Sequence, residues 1–253
     1  MPRVARAVIP DCPHHVTQRG NNRQDVFFVR DDYNIYLEIL HQQAVRYGLE
    51  IHAYCLMTNH VHIVATPQRA DSLAKAIGRT HWLYTQTINR LHRRSGHLWQ
   101  GRFYSCALDT RHFWLAMKYI EQNPVRARLC RKPWRYVWSS AAAHVDEPEG
   151  KGRGESAGGR AGNWGQVQPA SRNVPVPNFP VFLNLAEWFE RVSGEQWRGK
   201  LVEGLTEGQM ERIRGRTHTG RPLGSDGFVS KLEAALGRRV RALPVGRPKK
   251  QRD

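Results

Sequence analysis

Three residues, His60-Val61-His62, carry the most chemical information in this 253-residue chain. On a β-strand residues i and i+2 face the same way, so two imidazoles stand side by side while Val61 turns into the core. Paired imidazoles are half of a metal site, and by ligand softness alone they suit zinc, iron or another late metal. A lone His-x-His also occurs on ordinary strands and decides little by itself. The second element is the string YIEQNP, from Tyr119 to Pro124. On a helix Tyr119 and Asn123 share one face, with Trp114, Met117 and Ile120 on the buried side. A helical tyrosine is usually a packing residue, and a phenol with a pKa of about 10 is a poor nucleophile at neutral pH. It can attack a phosphodiester only where a cation neutralises phosphate charge and the site steadies the phenolate.

Several elements must position these residues. HHVTQRG, His14 to Gly20, reads as a strand followed by the polar turn NNRQ. Asp31 or Asp32 can cap a helix whose apolar positions Tyr36, Leu37, Leu40, Ala44 and Tyr47 recur at three and four until Gly48. Ile51, Ala53, Cys55 and Met57 alternate on one face of a second strand, and after the Thr58-Asn59 turn a third runs from His60 to Ala65. A helix from Ser72 carries Leu73, Ile77, Tyr84, Ile88 and Leu91 on one stripe and stops at Ser95-Gly96. Trp99 to Leu108 reads as a fourth strand, and Thr110 caps a helix that Pro124 must end. The order strand, helix, strand, strand, helix, strand, helix predicts an α+β fold. It is an antiparallel sheet with helices packed on one face, ferredoxin-like, with the other face free for a ligand.

Residues 1–145 form the expected catalytic domain. Residues 146–180 hold twelve Gly or Pro in thirty-five and read as a linker or insertion. Residues 181–253 read as a basic C-terminal extension, with short helices over Pro180 to Phe189 and Ser225 to Leu236, closing on VGRPKKQRD.

The formal charge is +17, from 39 Lys and Arg against 22 Asp and Glu. The excess is local: Lys75 to Arg135 carries thirteen cations and two anions, and Met210 to Asp253 twelve and four. Two Arg-rich blocks predict a polyanion partner, because guanidinium forks match phosphate oxygens and each contact releases counterions. No long amphipathic basic helix supports a membrane-surface protein. With no apolar run of membrane length and no signal-like start, the chain is expected in the cytoplasm, associated with the nucleoid. Cys12, Cys55, Cys106 and Cys130 stand far apart, so neither a zinc ribbon nor a disulfide framework is indicated.

Taken together, IHAYCLMTNHVHIV and the later YIEQNPVRARL resemble the single-tyrosine HUH transposases of bacterial insertion sequences, where HUH denotes His-hydrophobe-His. HHVTQRGNNRQ, GHLWQGRFYS, YVWSS, GRPLGS and LGRRV bring the chain closer to the REP-associated tyrosine transposases. The resemblance covers Val8 to Ala143 and resumes from Thr217 to Lys250. It implies that His60 and His62 bind a divalent cation, Mg2+ or Mn2+, whose harder shell substrate oxygens and waters would complete. It implies that Tyr119 is the nucleophile, leaving a 5′-phosphotyrosine and a free 3′-hydroxyl on single-stranded DNA cut at palindromic hairpins. Insertion-sequence relatives place a Gln ligand one turn after the tyrosine; here that position is Asn123.

Arg19, Gly20 and Asn21, with Trp99 and Arg102, are expected to bind the strand through cations and interleaved aromatics. Lys118, Arg126 and Arg128 are expected to touch DNA, and Arg247 and Lys249 in GRPKK resemble a minor-groove arm. His14 and His15 are further neighbours that could approach a cation. The implied partner is single-stranded or hairpin DNA, with the protein a monomer or homodimer. The alternatives are a catalytically idle DNA-binding protein, an RNA binder on the same sheet plan, or a nuclease that hydrolyses without a tyrosine adduct.

Overall fold

The computed structural model describes residues 6–145 and 183–242. Strands β1 (His14–Arg19), β2 (Leu49–Met57), β3 (His60–Pro67) and β4 (Tyr104–Ala107) form one sheet of order β2-β3-β1-β4. Every neighbouring pair is antiparallel. Helices α1 (Arg30–Tyr47) and α2 (Ser72–Leu91) pack together on one face. Their core includes Val16, Leu56, Val61 and Ile63 from the sheet and Leu37, Leu40, Ile77 and Ile88 from the helices. Asp32 closes the start of α1 from inside its first turn, where its carboxylate accepts the N–H groups of Phe28 and Val29 at 2.7 and 3.0 Å. Gly48 ends α1 with φ of 62°, a left-handed conformation that glycine adopts without strain.

The α+β plan matches the sequence reading, but the opposite face of the sheet is not open. It is covered by α3 (Thr110–Glu121), by α5 (Ala141–Val145), and by α6 (Leu185–Arg191), α7 (Gly194–Glu203) and α8 (Glu207–Thr219). Here Cys55, Met57 and Val64 of the sheet share a core with Met117, Tyr119 and Ile120 of α3 and with Trp188, Trp197, Leu201 and Ile213. α9 (Asp226–Leu236) closes the β4 edge, Leu232 packing on Cys12 and Ala107. The expected helix over Pro180 to Phe189 begins at Leu185, while α7 and α8 are additional. Both carry capping boxes, Ser193 with Gln196 and Thr206 with Gln209, a sequence signal of helix starts.

Two local differences matter. Ile51 does not share a face with Ala53, because pairing with β3 slips between them. The extra residue turns Ile51 toward α1 and leaves Ala53, Cys55 and Met57 on the α3 face. β4 also begins at Tyr104 rather than at Trp99.

Three histidines away from the paired imidazoles are held neutral by burial. His81 is pushed down to about 3 and His52 to about 4, with His14 also lowered, desolvation being the main cause in each. The unfolded chain therefore takes up protons near the ordinary pKa of 6.5, while the folded chain does not. Each such group removes up to about 1.4 kcal/mol of stability per pH unit as pH falls from 6.5 toward 4. Urea midpoints should drop progressively across that window, with net proton uptake on unfolding. A flat profile from pH 7 to 4.5 would contradict these buried neutral rings.

Candidate active site

Alternation along β3 places Val61 against α1 and α2 and turns His60 and His62 to the α3 face, as the sequence predicts. The two rings lie 5.0 Å apart, nearly perpendicular. Across the strands Thr17 stands opposite His62, and Arg19 opposite His60. Opposite residues share a face, so the exposed Arg19 lies beside His60.

Each imidazole has a partner on Nδ1. His60 Nδ1 lies 2.6 Å from Asn59 Oδ1, and the Asn59 amide nitrogen donates to the carbonyl of Arg23 at 3.0 Å. The carboxamide is thus oriented to accept, so His60 donates through Nδ1 and keeps a bare Nε2. His62 Nδ1 lies 2.9 Å from Nε2 of His15. Burial keeps both imidazoles neutral, with His60 pushed down to about 4 and His62 well below its usual value. Ligating histidines commonly give their other ring N–H to an acceptor in this way. Two neutral imidazoles on a rigid strand therefore fit a divalent cation. Among the described residues no third His, Cys, Asp or Glu completes a cluster, so other ligands would come from substrate or water.

Tyr119 sits against this pair. Its ring meets His62 at 5.7 Å and His15 at 5.8 Å, edge to face. The guanidinium of Arg126 lies 4.3 Å over the ring, and Arg214 of α8 donates from Nε to the phenol oxygen at 3.3 Å. Two cations are thus placed to offset negative charge on a phenolate. The ring is only 5% exposed, but its hydroxyl meets an arginine whose own side chain is half exposed.

α3 ends at Glu121, and Asn123 opens the separate short helix α4 (Asn123–Arg126), where Pro124 cannot continue the α3 ladder. Asn123 departs from the ligand expectation. Its Oδ1, the atom that would bind a cation, accepts from Arg126, while Nδ2 is buried without a partner among the described residues. Arg126 also donates from Nη2 to the carbonyl of Tyr119 at 2.7 Å, and its Nη1 is likewise unpartnered. Beside Tyr119 these two residues thus present unpaired hydrogen-bond donors among the described residues.

Other expectations change. Trp99 is a core residue: it is 8% exposed, packs on His81 at 4.5 Å and donates to its carbonyl at 3.3 Å, so no base can stack on it. Lys118 is buried and pairs with Glu203 at 2.8 Å, tying α3 to α7 instead of DNA. Gly20 serves the turn, because a Cβ there would lie 2.2 Å from the carbonyl oxygen of Gln24. Asn21 is half-buried, its N–H held by the carbonyl of Leu98 at 2.9 Å. Arg102 and Arg128 are exposed. His14 faces away from the paired imidazoles, with its ring nitrogens 2.7 and 3.1 Å from the carbonyls of Cys12 and Ala7. Arg247, Lys249 and the 146–180 stretch lie outside the described residues. His15, expected with His14 as a neighbour, meets His62, while Arg214 and Thr217 were missed by sequence reasoning.

The helix that carries Tyr119 is held by a buried carboxylate two residues on. Glu121 accepts from Ser140 Oγ at 2.6 Å, from His144 Nδ1, and from Trp197 Nε1 at 2.8 Å. Glu121→Gln sets an amide N–H against these donors and should cost about 3 kcal/mol. The urea midpoint should fall with an unchanged slope; a wild-type midpoint would show that this cluster does not anchor α3.

Residues 8–123 match the family model described as "Transposase IS200 like". A solved REP-associated tyrosine transposase bound to a REP hairpin superposes with a TM-score of 0.51 at 20% identity, covering 57% of this chain and 86% of that one. A protein of Deinococcus radiodurans R1 aligns at 22% identity with a TM-score of 0.34, covering 48% of this chain and 97% of that one. No curated protein sequence matches significantly. Among the described residues no helix is long and apolar enough to cross a membrane. Over residues 8–123 the chain is thus similar to the IS200-like transposase family.

Proposed function

We propose that this protein cleaves and rejoins single-stranded DNA by attack of the Tyr119 hydroxyl on a phosphodiester. The products would be a 5′-phosphotyrosine and a free 3′-hydroxyl, which can later attack the link and restore the strand. The observation that carries the reading is the meeting of Tyr119 with His62 at 5.7 Å on one sheet face, under the guanidiniums of Arg126 and Arg214. His60 and His62 would hold a divalent cation, Mg2+ or Mn2+, which supplies neutralisation of phosphate charge when bound. The chain's own residues do the rest. Arg214 steadies the phenol oxygen, and Arg126 and Asn123 offer buried donors to a phosphate oxygen. Arg19, beside His60, and the exposed Arg102 and Arg128 track the backbone.

The substrate would be a strand flanking a hairpin, a reading supported by the solved relative of the same fold, which is bound to a REP hairpin. The basic termini, Arg247 and Lys249 included, would add affinity for that hairpin. To test this, the protein is incubated with end-labelled hairpin oligonucleotides carrying single-stranded flanks, with and without Mg2+ or Mn2+. The expected result is metal-dependent cleavage in the flank and none in fully paired duplex. Duplex cleavage, or hairpin binding with no cleavage of any strand, would sink the proposal in favour of an ordinary nuclease or an idle DNA-binding protein.

A further inference from the structure

α8 belongs to the C-terminal region, yet it reaches under the paired imidazoles. His15 lies on β1 next to β3, and its Nδ1 stands 2.7 Å from Thr217 Oγ1 of α8. Thr217 donates its hydroxyl to the carbonyl of Ile213 at 2.8 Å. A hydroxyl has one hydrogen, so toward His15 Thr217 can only accept, and His15 Nδ1 carries the proton. His15 is buried with no carboxylate among its hydrogen-bond partners, so it is neutral and its Nε2 is an acceptor. The facing atom is His62 Nδ1 at 2.9 Å, which must therefore be the donor. The His15 and His62 rings are within 5° of parallel with centroids 5.1 Å apart. With the nitrogens closer than the centroids, the rings meet edge to edge, in the plane where an N–H and a lone pair align. Cys106 Sγ, 3.2 Å from Thr217 Oγ1, adds a second possible donor to the same oxygen.

We infer that Thr217 is a positioning residue which, through His15, fixes His62 in the tautomer that bares Nε2 toward the site. The polarity of the chain is set at its far end, by a carbonyl that can only accept. The inference rests on the reading of His62 as a cation ligand, but the tautomer itself is a property of the metal-free protein. It makes α8 part of the catalytic site, since Arg214, one turn before Thr217, reaches the Tyr119 hydroxyl.

The test uses full-length protein in three forms: wild type, Thr217→Val, and Thr217→Ser. Ring 15N spectra of the metal-free proteins report which nitrogen of His62 is protonated, and calorimetry with Mn2+ reports affinity. In wild type His62 should show a protonated Nδ1 and a bare Nε2. Valine, of the same shape, should lose that single-tautomer pattern and weaken Mn2+ binding about tenfold, while serine restores both. A valine variant with the wild-type ring pattern or wild-type affinity would overturn the inference, as would a serine variant that behaves like valine. If wild type binds no Mn2+, the metal reading fails, and the ring spectra alone decide the hydrogen-bond chain.

Discussion

Tyr119→Phe should bind hairpin DNA within about twofold of wild type yet form no covalent adduct, with strand cleavage reduced by on the order of 10^4-fold or more. The change removes one oxygen and leaves the ring. The contacts of that ring with His15, His62 and Arg126 survive, so the site's walls stay in place. Only the donation from Arg214 loses its acceptor. Arg214 is half exposed, and water replaces the phenol oxygen at little cost. Binding persists because the substitution removes no cation from either basic block. Stability should therefore change by less than about 1 kcal/mol, which separates this variant from one that fails by unfolding. Gel shifts, denaturing gels and a thermal melt on the same preparation check all three.

His60→Ala should abolish metal-dependent cleavage, a loss of about 10^3-fold or more, equivalent to about 4 kcal/mol of transition-state stabilisation. His60 is the cleaner of the two imidazoles to test. It is half-buried, with its Nδ1 on the half-buried Asn59, whereas His62 is buried within the chain to His15 and Thr217. Removing His62 would mix a lost ligand with a broken core. If His60 were an ordinary strand residue, its alanine variant would cleave DNA at the wild-type rate. Titration with Mn2+ on the same protein should show affinity lowered by at least about 100-fold.

The parts of this site that follow local periodicity were legible in the sequence. Alternation fixed which face His60, Val61 and His62 take, and the Thr58-Asn59 turn marked the hairpin that carries them. Tyr119 stood out through its string and Pro124 through its backbone chemistry. What failed depends on elements far apart in sequence. His15 and Thr217 are 202 residues apart, and no local pattern brings β1 between β3 and β4 or lays α8 beneath them. Trp99 looked available for stacking because α2, which buries it, cannot be placed from residues 99–108 alone. Ile51 was assigned to the wrong face because an extra residue in β2 breaks the alternation. The capping boxes at Ser193 and Thr206 were readable, and they would have announced α7 and α8 before the fold was known. Asn123 shows a different limit: spacing put it beside Tyr119, but only the position of Arg126 reveals that its oxygen accepts from a guanidinium.

Covalent chemistry at Tyr119 is the claim on which the rest depends, and peptide mapping tests it most directly. After reaction with a hairpin oligonucleotide, nuclease trimming and trypsin, cleavage behind Lys118 and Arg126 releases the octapeptide YIEQNPVR. The expected result is this peptide with a nucleotide joined through its 5′-phosphate to the tyrosine, and a 3′-hydroxyl on the other DNA product. Cleaved strands bearing free 5′-phosphates with an unmodified YIEQNPVR peptide, or a nucleotide on any other tyrosine, would contradict it.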